Sequence, residues 1–111
     1  MSDKVVRTFG PVAMAAAAAN VYNNTDTKIV DEIRHIHVVN TSGSAQSFTL
    51  FVSQTTGTET AGKEMFVSQA IAANDVYDWY GQLVLASTDF LVGHASATSV
   101  TIMGEGVQRV A

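Results

Sequence analysis

The sequence predicts an all-β fold: a single antiparallel β-sandwich or jelly-roll-like domain with an extended N-terminal segment. Three observations carry this reading. Turn signals recur at short intervals along all 111 residues. The runs between them are short and rich in Val, Ile, Phe, Tyr and Thr, as in sandwiches and barrels. The best of these runs alternate apolar and polar residues with a period of two, so that one face is buried.

The turn signals are Asn23-Asn24-Thr25-Asp26, Thr41-Ser42-Gly43-Ser44, Thr55 to Gly62, Ala72 to Asp75, Ser87-Thr88-Asp89, Gly93 to Ser99 and Gly104-Glu105-Gly106. They leave strands at roughly 4–9, 12–22 (with a break allowed), 28–40, 46–53, 64–70, 75–80, 82–86, 89–94 and 99–109. Residues 1–26 read as an N-terminal arm and edge segment, and residues 27–111 as the sandwich domain. A chain of this length suits one domain with two packed layers.

Met1 to Asp26 contains the least regular stretch, Ala13 to Ala19. Alanine favours helix, so a short helix competes with an extended segment there. The run has no polar face, Pro11 precedes it and Val21-Tyr22 follow, which favours the extended reading. The run Val12 to Ala19 is too short to span a bilayer. The start of the chain lacks the cationic and cleavage features of a signal peptide, so no passage through a secretion pathway is expected.

Lys28 to Asn40 changes phase. Ile29 and Ile33 occupy odd positions, whereas Ile36 and Val38 occupy even ones. A β-bulge between Ile33 and Ile36 produces such a flip; so does a long strand that moves to a second contact surface. Ser47 to Ser53 is the most regular strand, with Phe48, Leu50 and Val52 on one face and Phe51 as the exception. In the last strand Val100, Ile102 and Met103 are apolar, and Ser99 and Thr101 are polar.

Charged residues are 14% of the chain, against about 25% in typical soluble domains. A surface so poor in charge favours association. The net charge is −4. The six bases, Lys4, Arg7, Lys28, Arg34, Lys63 and Arg109, are scattered singly. That excludes the basic stripe of a nucleic-acid binder and a polybasic membrane patch. The absence of cysteine excludes disulfides and thiolate metal sites.

His35-Ile36-His37 is the sharpest chemical feature. Residues two apart on a strand face the same side, so the two imidazoles can share an ion. Asp31 or Glu32 could add a carboxylate and His94 a third nitrogen, a set suited to Zn²⁺ or non-haem iron. Such a His-x-His resembles the start of a cupin-type site. The cupin pattern then needs a nearby Glu, and Val38-Val39-Asn40-Thr41-Ser42 supplies none. Its second motif needs Pro-Gly before a His, and His94 follows Gly93 alone. The preferred reading is a hydrogen-bonded, partly exposed pair, so no metal ligand is assigned.

Tyr77, Trp79 and Tyr80, with Tyr22 apart, could form a sugar platform. Tyr77 and Trp79 share one strand face, and Asp78 and Tyr80 the other, so a core or interface anchor is the preferred role for Trp79. No serine lies in a Gly-x-Ser-x-Gly elbow. Gly104-Glu105-Gly106 is not a phosphate loop. The expectation is therefore no enzyme, no catalytic residue and no cofactor.

From Ile33 onward the chain resembles a type of small virion protein of tailed bacteriophages. The resemblance rests on the run from Ile33 to Ala45, then Ser47-Phe48-Thr49-Leu50, Asp78-Trp79-Tyr80-Gly81, Leu83-Val84-Leu85, Asp89-Phe90-Leu91-Val92-Gly93 and Ser99-Val100-Thr101-Ile102. It covers about two thirds of the chain and contains packing and turn residues, not a catalytic signature. It implies a β-sandwich that coats or connects parts of a particle. Capsid decoration (cement) proteins, neck and tail accessory proteins and fibre-base modules are of this kind. It further implies a homo-oligomer, with a trimer favoured, that contacts the major capsid protein or another virion protein. It implies a location in the virion after synthesis in the host cytoplasm. Residues 1–26 match less well and, by type, would reach out to a neighbouring protein.

Overall fold

Alternating patterning over Lys28 to Asn40 becomes the central element of a computed structural model that describes residues 4–54 and 57–110. The strands are β1 (Lys4–Ala13), β2 (Ala19–Asn23), β3 (Ile29–Asn40), β4 (Gln46–Ser53), β5 (Glu64–Ile71), β6 (Asp75–Leu85), β7 (Phe90–Ala95) and β8 (Val100–Val110). Among the described residues there is no helix.

One sheet has the order β1-β8-β3-β6 and the other β2-β7-β4-β5. Every pairing is antiparallel. The pairs β1/β8, β2/β7, β3/β6 and β4/β5 alternate between the sheets, as if one long hairpin ribbon had been wound into a sandwich. That is the double-sheet jelly roll. The predicted all-β class holds, in the jelly-roll form.

Inward-facing side chains of both sheets make one core. Ile33, Ile36, Val38, Val100 and Ile102 come from the first sheet, and Phe48, Leu50, Leu91 and Ala95 from the second. Phe9 on β1 lies over Gly104 on β8. A Cβ there would sit 2.3 Å from the Phe9 ring. The missing side chain lets Phe9 reach across to stack on Tyr22 of β2, with ring centroids 5.5 Å apart.

The phase flip in β3 is a bulge. Ile33 pairs with Gly106 and His35 with Glu105, so Arg34 is the extra residue relative to β8. Ile33 and Ile36 thereby both face the core, and His35 and His37 face outward.

Two boundaries differ from the sequence reading. The expected strand over 12–22 is two strands, with Met14 to Ala18 between them. Met14 N–H donates to Val100 of the first sheet, while Ala15 C=O accepts from Ala95 of the second. The alanine run is thus the crossing between sheets, neither helix nor strand. The expected strands 75–80 and 82–86 are one strand, β6, because Gly81 marks an irregularity, not a turn. Across Ile33 to His35, β6 advances from Leu83 to Tyr80. β1 and β2, which come from residues 1–26, are edge strands, one in each sheet.

Candidate functional site

The bulge in β3 sets the site. Past it, every second residue faces outward, and directly opposed residues on neighbouring strands share that face. His35 is opposite Tyr80 of β6 and Glu105 of β8, and His37 is opposite Asp78. Four polar side chains and one aromatic ring therefore converge on the outer face of the first sheet.

Asp78 lies between the two imidazoles. Its Oδ1 is 2.7 Å from His35 Nε2 and 2.6 Å from His37 Nδ1. The other nitrogen of His35, Nδ1, is 2.8 Å from Glu105 Oε1. The Tyr80 ring stacks on the His35 ring at 4.6 Å and 3°. His35 thus has its plane fixed by a ring and both nitrogens fixed by carboxylates.

A neutral imidazole has only one N–H, so two carboxylates at its two nitrogens favour the charged ring. The His35 pKa is accordingly raised, chiefly by the hydrogen bond to Glu105; partial burial opposes this and Asp78 adds to it. The Asp78 carboxyl is lowered, first by the hydrogen bond to His37 and then by that to His35.

These shifts predict a stability window for the metal-free chain. A raised histidine stabilises the fold fully below its unfolded value, about 6.5, and the contribution disappears as pH rises through the folded value. A lowered carboxyl stabilises above its unfolded value, about 3.9, and the contribution disappears as pH falls through the folded value. The cluster should therefore stabilise most between about pH 4 and 6.5. The check is the melting temperature across pH, in chelator, of wild type minus His35→Gln. A difference that is flat across pH would remove the ion-pair account.

The carboxylates expected beside the histidines are elsewhere. Asp31 is fully buried and accepts from Tyr22 Oη at 2.5 Å and Gln108 Nε2 at 3.0 Å. Glu32 is held by Arg34, by Gln82 Nε2 at 3.1 Å and by Arg109 at 3.3 Å. Arg34 is the main cause of its lowered pKa. His94 lies on β7 in the other sheet, where its Nδ1 meets Glu59 Oε2 at 2.5 Å. The four-residue site of His35, His37, His94 and a neighbouring acid is not formed. Nor is a cupin-type interior site, since His35 and His37 face away from the core.

Asp78 and Glu105 are the partners that sequence reasoning missed. One signal was available for Asp78: it shares a strand face with Tyr80. Glu105 gave none, because its turn-like glycine neighbours hide that it belongs to β8.

The aromatic trio does not form a platform. Tyr77 and Trp79 pack against the core, and Tyr80 alone of the three is well exposed, at 72%. Beside Tyr80 and His35 lies a cleft of about 440 Å³ lined also by Val5, Arg7, Arg34 and Val107. Val5, Val76 and Val84 share this outer face and are exposed.

The sequence matches no protein-family model and no curated protein. Solved structures similar to the chain include that of infectious bursal disease virus Gx strain (TM-score 0.46, 9% identity, covering 99% of this chain and 32% of that one). A pentameric capsid protein isolated from metagenomic phage sequences is also similar (TM-score 0.32, 13% identity, 97% and 63%). So is dimeric latent PorU from Porphyromonas gingivalis (TM-score 0.37, 11% identity, 96% and 12%). The chain spans less than two thirds of each of these proteins. At these scores the likenesses carry no functional argument.

Proposed function

We propose that the chain is a non-enzymatic structural module of a virion, acting as a capsid decoration (cement) protein through subunit interfaces. One observation carries the reading: a jelly roll in a charge-poor chain exposes large apolar side chains on an outer sheet face, around the His35 cluster. Val5 is 84% exposed and Val76, Tyr80 and Val84 share its side of the sheet. Only 14% of residues are charged. Jelly rolls serve viral capsids, lectins and cupins. The lectin-like and cupin-like uses lose their sequence support, since the aromatic trio is split and the histidines face outward.

Such a protein acts by buried area. Each interface contributes modestly, and symmetry repeats it over many copies. The resemblance to tailed-phage virion proteins favours a closed homo-oligomer, with a trimer first, seated on the major capsid protein or another particle component.

Native mass spectrometry of the metal-free chain is the test. A closed homo-oligomer is expected. Val84→Asp, which places a charge on the exposed face, is expected to shift it to monomer with little change in melting temperature. A wild-type monomer that binds glycans or turns over a substrate would overturn the reading.

A further inference from the structure

We propose that His35, His37 and Asp78 form a binding site for one divalent transition-metal ion on the outer face of the β1-β8-β3-β6 sheet. The site belongs to a single chain, so it stands or falls independently of the virion reading.

The donor set is the first argument. His35 Nε2, His37 Nδ1 and an Asp78 carboxylate oxygen all lie within 4.8 Å of one another. Two imidazole nitrogens and one carboxylate suit Zn²⁺ and its first-row neighbours, whereas Ca²⁺ and Mg²⁺ require mostly oxygen. Tetrahedral ligation at about 2.0–2.1 Å spaces donors about 3.3 Å apart. The spacings to Asp78 are 2.6 and 2.7 Å. Opening them requires only small rotations of side chains that are partly exposed.

The second argument is independent of the donors. Metal-bound histidines nearly always give their other N–H to a carboxylate or carbonyl, which fixes the tautomer and the ring. Glu105 does this for His35: its Oε1 accepts from Nδ1 at 2.8 Å, leaving Nε2 to face Asp78 and His37. Tyr80 holds the same ring from one side. A hydrogen-bonded His-Asp pair needs neither of these supports. Together they aim a lone pair into the gap between His37 and Asp78. An ion there replaces the protons that the imidazoles share with Asp78, and water fills the outward coordination position.

The bulge explains why the set exists at all. Without Arg34 as the extra residue, His35 and His37 would continue the inward phase of Ile33. With it, both turn outward to meet residues of β6 and β8 that are 43 and 70 positions away in sequence.

The experiment is Zn²⁺ titration of the chelator-treated full chain, read by native mass spectrometry and by the imidazole signals in NMR. One ion per chain is expected, with the His35 and His37 ring signals shifting and those of His94 unmoved. His37→Ala is expected to abolish binding and His94→Ala to leave it intact. Glu105→Gln should keep one ion per chain but weaken it about 10–100-fold, the usual effect of losing such a supporting carboxylate. Co²⁺ in place of Zn²⁺ should give the visible absorption of a low-coordinate nitrogen–oxygen site. The ring signals of the wild type decide the matter even if a variant fails to fold. No saturable uptake, or uptake that moves His94 instead of His35 and His37, would overturn the proposal.

Discussion

Gly106→Ala should abolish the cooperative fold. A Cβ at this position would lie 1.9 Å from the Glu32 carbonyl oxygen and 2.9 Å from Ile33 Cα. Both are backbone atoms of β3, so no side-chain rotation relieves the clash. Neither strand can move away easily. β8 is bonded on one side to β1, through the Val6–Gly106 pair, and on the other to β3, through the Ile33–Gly106 pair. The clash also falls at the bulge that sets which residues of β3 face the core. Shifting β3 there would pull Ile33 and Ile36, both fully buried, out of phase. Losses above about 4–5 kcal/mol are exceptional for one substitution, and a domain of this size has about 5–15 kcal/mol in total. Gly43→Ala is the control. Nothing lies within 4 Å of a Cβ there, so it should be neutral within about 1 kcal/mol. Thermal melts followed by near-ultraviolet circular dichroism separate the two. A Gly106→Ala protein that melts within a few degrees of wild type would show that β8 can shift.

That same bulge marks how far the sequence could be read. The flip from Ile29 and Ile33 to Ile36 and Val38 is a local pattern, and a local cause, one extra residue, accounts for it. The strand from Ser47 to Ser53 was legible for the same reason. Phe51, its exception, faces outward opposite Val92, yet both are buried. The connection between β4 and β5 crosses this face, where Gly57 N–H donates to Asn20 Oδ1 and Glu59 meets His94. Periodicity describes one strand and its face; it does not report a loop folded over the outside.

What remained hidden depends on which strands become neighbours. His94 looked like a companion to His35 and His37, but β7 belongs to the other sheet. The partners that do meet them, Asp78 and Glu105, are set by register across β3/β6 and β3/β8. Register is decided by the bulges and the packing of the whole sheet, which no window of sequence contains. The alanine run failed differently. Its propensity suggested helix, its lack of a polar face suggested strand, and its actual role is to cross between the layers. Small side chains suit a chain passing close to both sheet edges, where neither regular structure continues.

Phe48→Ala should be the most destabilising large-to-small change in the core, at about 3–5 kcal/mol. Phe48 is 1% exposed. Its ring meets Phe66 at 5.2 Å and Tyr77 at 5.8 Å, and those two meet each other edge-on at 5.6 Å. The three rings come from β4, β5 and β6, so the cluster joins the two sheets where each has an edge strand. Aromatic pairs add about 0.5–1.5 kcal/mol beyond their buried area, and truncation removes two of them at once, which places this change at the upper end. For 111 residues the unfolding entropy is about 0.23 kcal/mol per degree, so the melting temperature should fall by roughly 13–21 °C. Phe48→Leu keeps more of the volume and should cost less. The loss should also be lopsided. Among the described residues β5 and β6 have no strand beyond them and depend on this cluster for their attachment, whereas β8 and β3 are paired on both sides. Amide hydrogen exchange of the variant should therefore rise first over residues 64–80, with β3 and β8 still protected. Uniform exchange across all eight strands would instead mean that the two sheets open as one unit and that the aromatic cluster is no more than part of their common core.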